Sequence, residues 1–425
     1  MKKHLLLIAG LILLVLFGFS QNQDAADQVA ISDTVNYPYW IQMMQDPDAN
    51  FFQTQRAFNL YWKDRKITRG SGWKVFKRWE YMMLSRVNPD GSLPSPDAVF
   101  KAYEEYEKSS RSSSGSWVSL GPAEIPAPHD PGYKGLGRLN VVAWHPTDVN
   151  KFYVGSPSGG FWRTSDGGIT WTTHTDTMPT LGVSAIVVDY TNPDRILIGT
   201  GDRDAGDAPG MGVYVSTNGG NNWSPSKTGM DNKTVGKLLQ HPTNSQVFLA
   251  ATSGGVFRST DRGANWTRSQ NGDFKDIQFK PNNPDFVYAC AGPDFYRSAD
   301  NGVSFVKITS GLTSGQRGAI AVTPANPEYV YFLQSDANGR YKGVYASTNS
   351  GVSFTTRSTT PNILDWSCDG SGTEDCQGWY DLAITSSPTN PEIVFVGGVD
   401  VWKSTDGGST WIINSHWWGD CSVPA

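Results

Sequence analysis

STDGGSTW, residues 404–411, decides how this chain is read, because the chain writes it six times. The other copies are TSDGGITW (164–171), STNGGNNW (216–223), STDRGANW (259–266), SADNGVSF (298–305) and STNSGVSF (347–354). Successive copies stand 39 to 57 residues apart. Between them, short apolar runs of period two alternate with turns, as in LNVVAWHP, KFYVGS, GFWRTS and TWTTHT, then SAIVVDY, RILIGTG and GVYVST. A second element recurs beside the octet: HPTDVNKFYVG, NPDRILIG, HPTNSQVFLA, NPDFVYAC, NPEYVYFL and NPEIVFVG. Its Pro and Asn set the turn from the first strand of each unit to the second.

A period near 40–50 with four strand-like pieces per unit predicts an all-β chain, a β-propeller. Six four-stranded blades are visible, at about 139–174, 183–226, 235–269, 274–308, 317–357 and 379–414. The closing HWWGDCSVPA reads as the approach to another blade, so the expected propeller is a larger one, incomplete here. The alternative is that 117–120 closes a small ring.

The octet has a local physical logic. Its third residue accepts hydrogen bonds from turn N–H groups, glycine takes left-handed backbone positions, and the terminal Trp or Phe packs between blades. The third residues are Asp166, Asn218, Asp261, Asp300, Asn349 and Asp406. Asparagine at two of them suits a hydrogen-bonding role and not catalysis or metal binding, so the repeat is structural.

The start, MKKHLLLIAGLILLVLFGFSQ, has a basic n-region, a short apolar core and small residues before Gln21, which reads as a signal peptide over 1–20. The mature protein is expected to be secreted or at the outer cell surface, with no membrane span after cleavage. Residues 21–108 read as a helical N-terminal region, with aromatics at helical spacing from Trp40 to Trp62, in WKVFKRWEYMM (73–83) and along Val99, Tyr103 and Tyr106. These aromatics are expected to pack on one another or against the next domain; the alternative is a membrane or partner surface. SSRSSSGS (109–116) is a linker, and 117–425 is the propeller. Net charge is −5 with no basic tract, which excludes nucleic acid as a partner. Four cysteines suit an oxidising compartment. Cys368 and Cys376 flank DGSGTED and are expected to pair; Cys290 lies in an apolar strand.

Function is sought on the loops between second and third strands and between blades, which gather around the propeller channel. GDRDAGD (201–207) is the most charged. Asp202, Asp204 and Asp207 are the candidate catalytic carboxylates, and calcium is the cofactor such a loop could hold. In the insertion TTPNILDWSCDGSGTEDCQGWYD, Trp366, Trp379 and Tyr380 offer rings for sugar stacking, with Asp365 and Asp381 accepting from hydroxyls. Arg203, Asp204, Trp366, Trp379, Tyr380 and Asp381 are the candidate ligand-binding residues. No metal-ligand spacing of Cys or His appears.

The octet resembles the Asp-box of BNR-repeat and sortilin-type propellers, and that resemblance covers 117–414. It implies that the octets lie on the face opposite the ligand site. Residues 36–87 resemble the N-terminal segment of large bacterial proteins exported by type IX secretion, whose machinery would be a partner if a C-terminal sorting domain follows. Xyloglucan-cleaving propellers carry a catalytic aspartate in a first-blade Thr-Asp-Val/Ile-Gly-Gly loop. Here the matching stretch is Ser156-Pro157-Ser158-Gly159-Gly160, without a carboxylate. Sialidases open on an Arg-Ile-Pro type motif, and Gly137-Arg138-Leu139-Asn140 lacks its proline. The sequence expectation is therefore a non-catalytic propeller that binds an extracellular glycan or protein. The alternative is a glycoside hydrolase, sialidase- or xyloglucanase-like, using loop carboxylates.

Overall fold

A computed structural model describes residues 39–46, 48–68, 71–95, 97–108, 137–372, 376–417 and 421–423. The leader at 1–20, the linker at 109–116 and the segment 117–120 lie outside the described residues. Contacts divide the chain into two compact units, Met1–Ala98 and Val99–Ala425. No helix among the described residues is long and apolar enough to cross a membrane.

The first unit holds helices α1 (Trp40–Gln45), α2 (Phe51–Trp62) and α3 (Trp73–Leu84). Asn50 starts α2, its side-chain oxygen accepting from the N–H groups of Phe52 and Gln53 at 3.0 and 3.2 Å. The aromatics pack on one another: Phe58 stacks on Phe76 with centroids 3.7 Å apart, and Trp40 meets both rings edge-on. A further helix, α4 (Ala98–Lys108), spans the boundary in sequence.

The second unit contains six four-stranded antiparallel sheets, each with its strands in chain order. They are the blades. The innermost strands are β1 (Val141–Trp144), β5 (Val183–Val188), β9 (Val235–Gln240), β13 (Phe274–Phe279), β17 (Arg317–Val322) and β21 (Ala383–Ser386). Neighbours in this series pack side by side, and apolar clusters fill the space between successive sheets. Ile186, Leu238, Ile277 and Ile320 occupy one position of the inner strand in the second to fifth blades and are 7, 4, 0 and 1 % exposed. Val142, at the same position of the first blade, is 51 % exposed. Ala383 and Thr385 of the sixth blade are likewise exposed. Among the described residues the blades thus form an arc open between its two ends.

Each octet lies between the third and fourth strands of its blade. In the last copy, Asp406 Oδ1 accepts from Ser404 Oγ (2.8 Å) and from the N–H groups of Ser409 (3.0 Å) and Thr410 (2.9 Å), while Oδ2 accepts from Thr410 Oγ1 (2.7 Å). Asn218 and Asn349 accept from the equivalent N–H groups with their amide oxygens. Where the first glycine is replaced, Arg262, Asn301 and Ser350 still take φ of 63, 58 and 58°. The turn therefore imposes the left-handed conformation even where no glycine eases it. The terminal aromatic packs on the preceding blade: Trp266 Nε1 donates to Ser226 O (2.8 Å) and Trp411 Nε1 to Ser358 Oγ (2.9 Å).

Asp406→Ala should lower stability by about 1 kcal/mol, since solvent reaches this carboxylate and only net hydrogen-bond energy is lost. Asp406→Asn should cost less, because Asn218 and Asn349 already fill the role; urea midpoints check both. Burial would raise the Asp406 carboxyl, but Thr410 and Ser404 hold it down at about 2, and Thr170 does the same for Asp166. A depressed folded value stabilises above the ordinary 3.8 and is lost as pH falls toward 2. The melting temperature should drop through that window, and Asp166→Asn/Asp406→Asn should flatten the drop.

Candidate functional site

The site is built from the loop that follows Ile196–Thr200 in the second blade. Gly201 takes φ 97° and turns the chain, its N–H donating to Gly182 O at 2.9 Å. Asp202 then folds inward, its side chain fully buried. Its oxygens accept from the N–H groups of Asp204 (3.3 Å), Ala205 (3.1 Å) and Asp207 (3.1 Å) and from Asn140 Nδ2 (3.0 Å). Arg138 Nη2 lies 2.7 Å from the same carboxylate. Burial pushes the Asp202 carboxyl up, but the Asp207 N–H and the Arg138 guanidinium outweigh it and leave the carboxyl lowered. Asp202 is thus the organiser of its loop, and its lone pairs are spent there.

Asp204, two residues on, points to other partners. Arg203 Nε sits 3.3 Å from its Oδ2, and Arg317 Nη2 lies 2.5 Å from Oδ1. Arg317 enters from β17 in the fifth blade with its side chain only 9 % exposed. Its other terminal nitrogen donates to the carbonyls of Trp379 and Tyr380, both at 2.7 Å. One guanidinium therefore joins the second-blade loop to the turn that leads into the sixth blade. That turn lies tight against the fifth-blade loop: Gly378 N–H donates to Gly339 O at 2.9 Å, and a Cβ on Gly378 would stand 2.5 Å from that oxygen. Only glycine permits this approach, which presents Trp379 half exposed with Tyr380 against it at 5.3 Å. The Arg138 guanidinium lies 4.8 Å from the Tyr380 ring centroid.

Asp381 follows directly. Burial raises its carboxyl above the ordinary carboxylate value; Arg317 opposes the rise and Asp204 adds to it. The arrangement is a pair of neighbouring carboxyl groups in unlike environments, one clamped by two arginines and the other inclined to hold its proton. Such a pair suits general acid–base work. The half-exposed Trp379 ring and the partly buried Tyr380 ring lie alongside.

Several expectations change. Asp207 stays at the rim, its side chain 60 % exposed and 3.7 Å from Arg138. Asp202, Asp204 and Asp207 do not gather at calcium-ligand spacing among the described residues. Asp365 is buried and accepts from Ser367 Oγ at 2.9 Å, so it holds its own turn instead of facing ligand. Trp366 is half exposed on a different patch, its carbonyl accepting from His416 Nε2 (3.0 Å) near half-exposed Trp417. The expected Cys368–Cys376 disulfide is corrected: Cys368 bonds Cys421 across a Cα separation of 5.5 Å, and Cys376 is a buried thiol 3.2 Å from Asn362 Nδ2. Proximity in sequence misled, because the fold brings the last strand's exit beside the insertion. Arg317 escaped the sequence reading. Its signal was a lone cation opening an otherwise apolar inner strand, RGAIAV.

Fold and site together define a β-propeller whose loop face carries a carboxylate–guanidinium cluster beside exposed aromatic rings. No protein-family model matches the chain. It is similar to the xyloglucanase Xgh74A of Acetivibrio thermocellus, 25% identical over 327 residues, which covers 65% of this chain and 38% of that protein. A xyloglucanase of Hypocrea jecorina is 29% identical over 244 residues, 47% of this chain and 28% of that one. Among solved structures, an ancestral GH74 enzyme superposes with a TM-score of 0.51 at 19% identity, over 66% of this chain and 38% of that one. The GH74 xyloglucanase of Xanthomonas campestris gives a TM-score of 0.50 at 19% identity, over 66% and 45%. These two support the propeller fold. The chain spans 38% of the length of the first curated relative. The expectation of a non-catalytic binding propeller is corrected by the curated matches, which are enzymes that cleave a glycan; they favour the glycoside hydrolase alternative.

Arg138→Met should destabilise by up to about 3 kcal/mol, because Asp202 stays buried with its charge partner gone; chemical denaturation measures it. Alkylation of the unreduced, unfolded protein should label Cys290 and Cys376 and spare Cys368 and Cys421, which mass spectrometry of peptides reads directly.

Proposed function

We propose that this chain is the glycan-engaging propeller of an exported glycoside hydrolase acting on a xyloglucan-type glucan. The position of Asp381 carries the reading: a carboxyl raised by burial, beside the Arg-clamped Asp204, next to half-exposed Trp379. Asp381 is assigned as the acid that protonates the glycosidic oxygen. A solvent water then bonds to the sugar carbon and gives its proton to the Asp381 carboxylate, which restores the acid; Asp204, held by Arg203 and Arg317, helps keep the Asp381 carboxyl raised. Trp379 and Tyr380 present the rings on which a pyranose face stacks. The first-blade loop carries Pro157 where xyloglucan-cleaving propellers have their aspartate, so the reaction is assigned to the second- and sixth-blade loops. The curated xyloglucanase relatives support the substrate class.

Export belongs to the same reading. The apolar leader supports secretion to the outside or the outer surface, the octets support a BNR- or sortilin-type repeat, and residues 36–87 support type IX transport. Detection of the protein in culture medium, lost when the type IX machinery is deleted, tests the route.

The activity is tested by incubating the purified chain with xyloglucan and counting new reducing ends. Asp381→Asn should lower kcat about 10³-fold with the melting temperature unchanged. Since the protonated form is the acid, activity should decline as pH rises past the raised value of Asp381. Trp379→Ala should raise KM about fivefold to tenfold with a smaller change in kcat. No release of ends, or an Asp381→Asn variant as active as the parent, overturns the assignment.

A further inference from the structure

A cavity of about 140 Å³ opens on the channel between β9, β13, β17 and β21. Its charged lining is unbalanced: Arg203, Lys237, Lys275 and Arg317 against one carboxylate, Asp276. Three of those cations are committed. Lys237 pairs with Asp276 at 2.7 Å, and the other Asp276 oxygen accepts from the Ile320 N–H at 2.9 Å. Arg203 and Arg317 share Asp204. Lys275 is different. Among the described residues no carboxylate lies within ion-pair distance of it. Asp273 and Asp204 attract it from farther off, while Arg317 and Arg203 repel it. Burial and the Arg317 charge both press the ammonium toward its neutral form. A cation desolvated beside other cations is costly unless an anion joins it. Leu382 and its neighbours give the opposite wall an apolar surface.

We propose that this cavity binds the carboxylate of an acidic sugar unit, with Lys275 as its charge partner and Arg317 and Arg203 as flanking donors. A flat carboxylate accepts from an ammonium and a guanidinium edge at once. The apolar wall takes the ring that bears it. Arg317 holds the Trp379 and Tyr380 carbonyls, so the aromatic rings lie close to the cavity mouth, where the next sugar along the chain would stack. The choice of a sugar over other anion-bearing molecules rests on the reading of this face as glycan-binding, and it requires a glycan with acidic units besides the neutral glucan proposed above; the anion site itself does not rest on that reading.

The test is calorimetric titration at fixed ionic strength with sodium glucuronate, glucose and sodium sulfate. Glucuronate should bind saturably and at least tenfold tighter than glucose. Lys275→Met should weaken glucuronate tenfold or more, and Lys275→Arg should stay within threefold of the parent, all three with equal melting temperatures. Glucuronate no tighter than glucose, or unchanged binding to Lys275→Met, overturns the proposal. Sulfate as tight as glucuronate overturns the sugar-acid assignment. Saturable glucuronate binding by a chain that releases no ends from xyloglucan supports this site while the hydrolase reading fails.

Discussion

Everything in the second unit depends on one side-chain oxygen per blade that satisfies a turn from within. The Asp or Asn third in each octet takes the N–H groups that a tight hairpin would leave bare, and the terminal aromatic of the same octet fixes the blade against its predecessor. A hairpin closed in this way needs nothing from the opposite face of the sheet. The loops between second and third strands are released from holding the blade, and they vary freely: three residues at 157–159, a charged arc at 201–212, a two-residue turn at 253–254.

The charged arc shows what that freedom allows. Asp202 spends its own oxygens on the loop, and in doing so holds Asp204 where Arg317 meets it. Arg317 in turn fixes the turn that carries Trp379, Tyr380 and Asp381. The side chains of the candidate site are therefore positioned by a hierarchy: a buried carboxylate that organises, a buried guanidinium that connects, and a second carboxyl left to respond to its surroundings. The removal of water drives each step. It is offset at Asp202 by N–H donors and Arg138 and at Asp204 by two arginines, while at Asp381 it shows as a carboxyl raised above the ordinary carboxylate range.

The blades were legible in the sequence because a period of 39 to 57 residues repeats the same local chemistry, and local chemistry survives translation into structure. The aromatic packing of the first unit was legible in part: helical spacing marks the apolar face of each helix, and the packing of three helices then brings Trp40, Phe58 and Phe76 together. The site was half legible. Charge density pointed to the 201–207 loop, and ring content pointed to Trp379 and Tyr380, but nothing local says that Asp202 turns inward while Asp207 stays at the rim. Arg138 and Arg317 are far from Asp202 and Asp204 in sequence, and only the packing of the blades around a common axis brings them together. The cysteines teach the same lesson. Cys376 is eight residues from Cys368 in the chain, Cys421 fifty-three, and the fold prefers the distant one.

The Arg317–Asp204 contact has a consequence for how the arc behaves as a whole. Blades that touch only their neighbours form a one-dimensional array, in which an end unit can peel away while the others stay folded. A fifth-blade arginine bound to a second-blade carboxylate and to the entry of the sixth blade breaks that linear order. Opening any one of the three disturbs the other two. The channel contact thus ties together blades that are not adjacent, and it turns a chain of semi-independent modules toward a single cooperative transition.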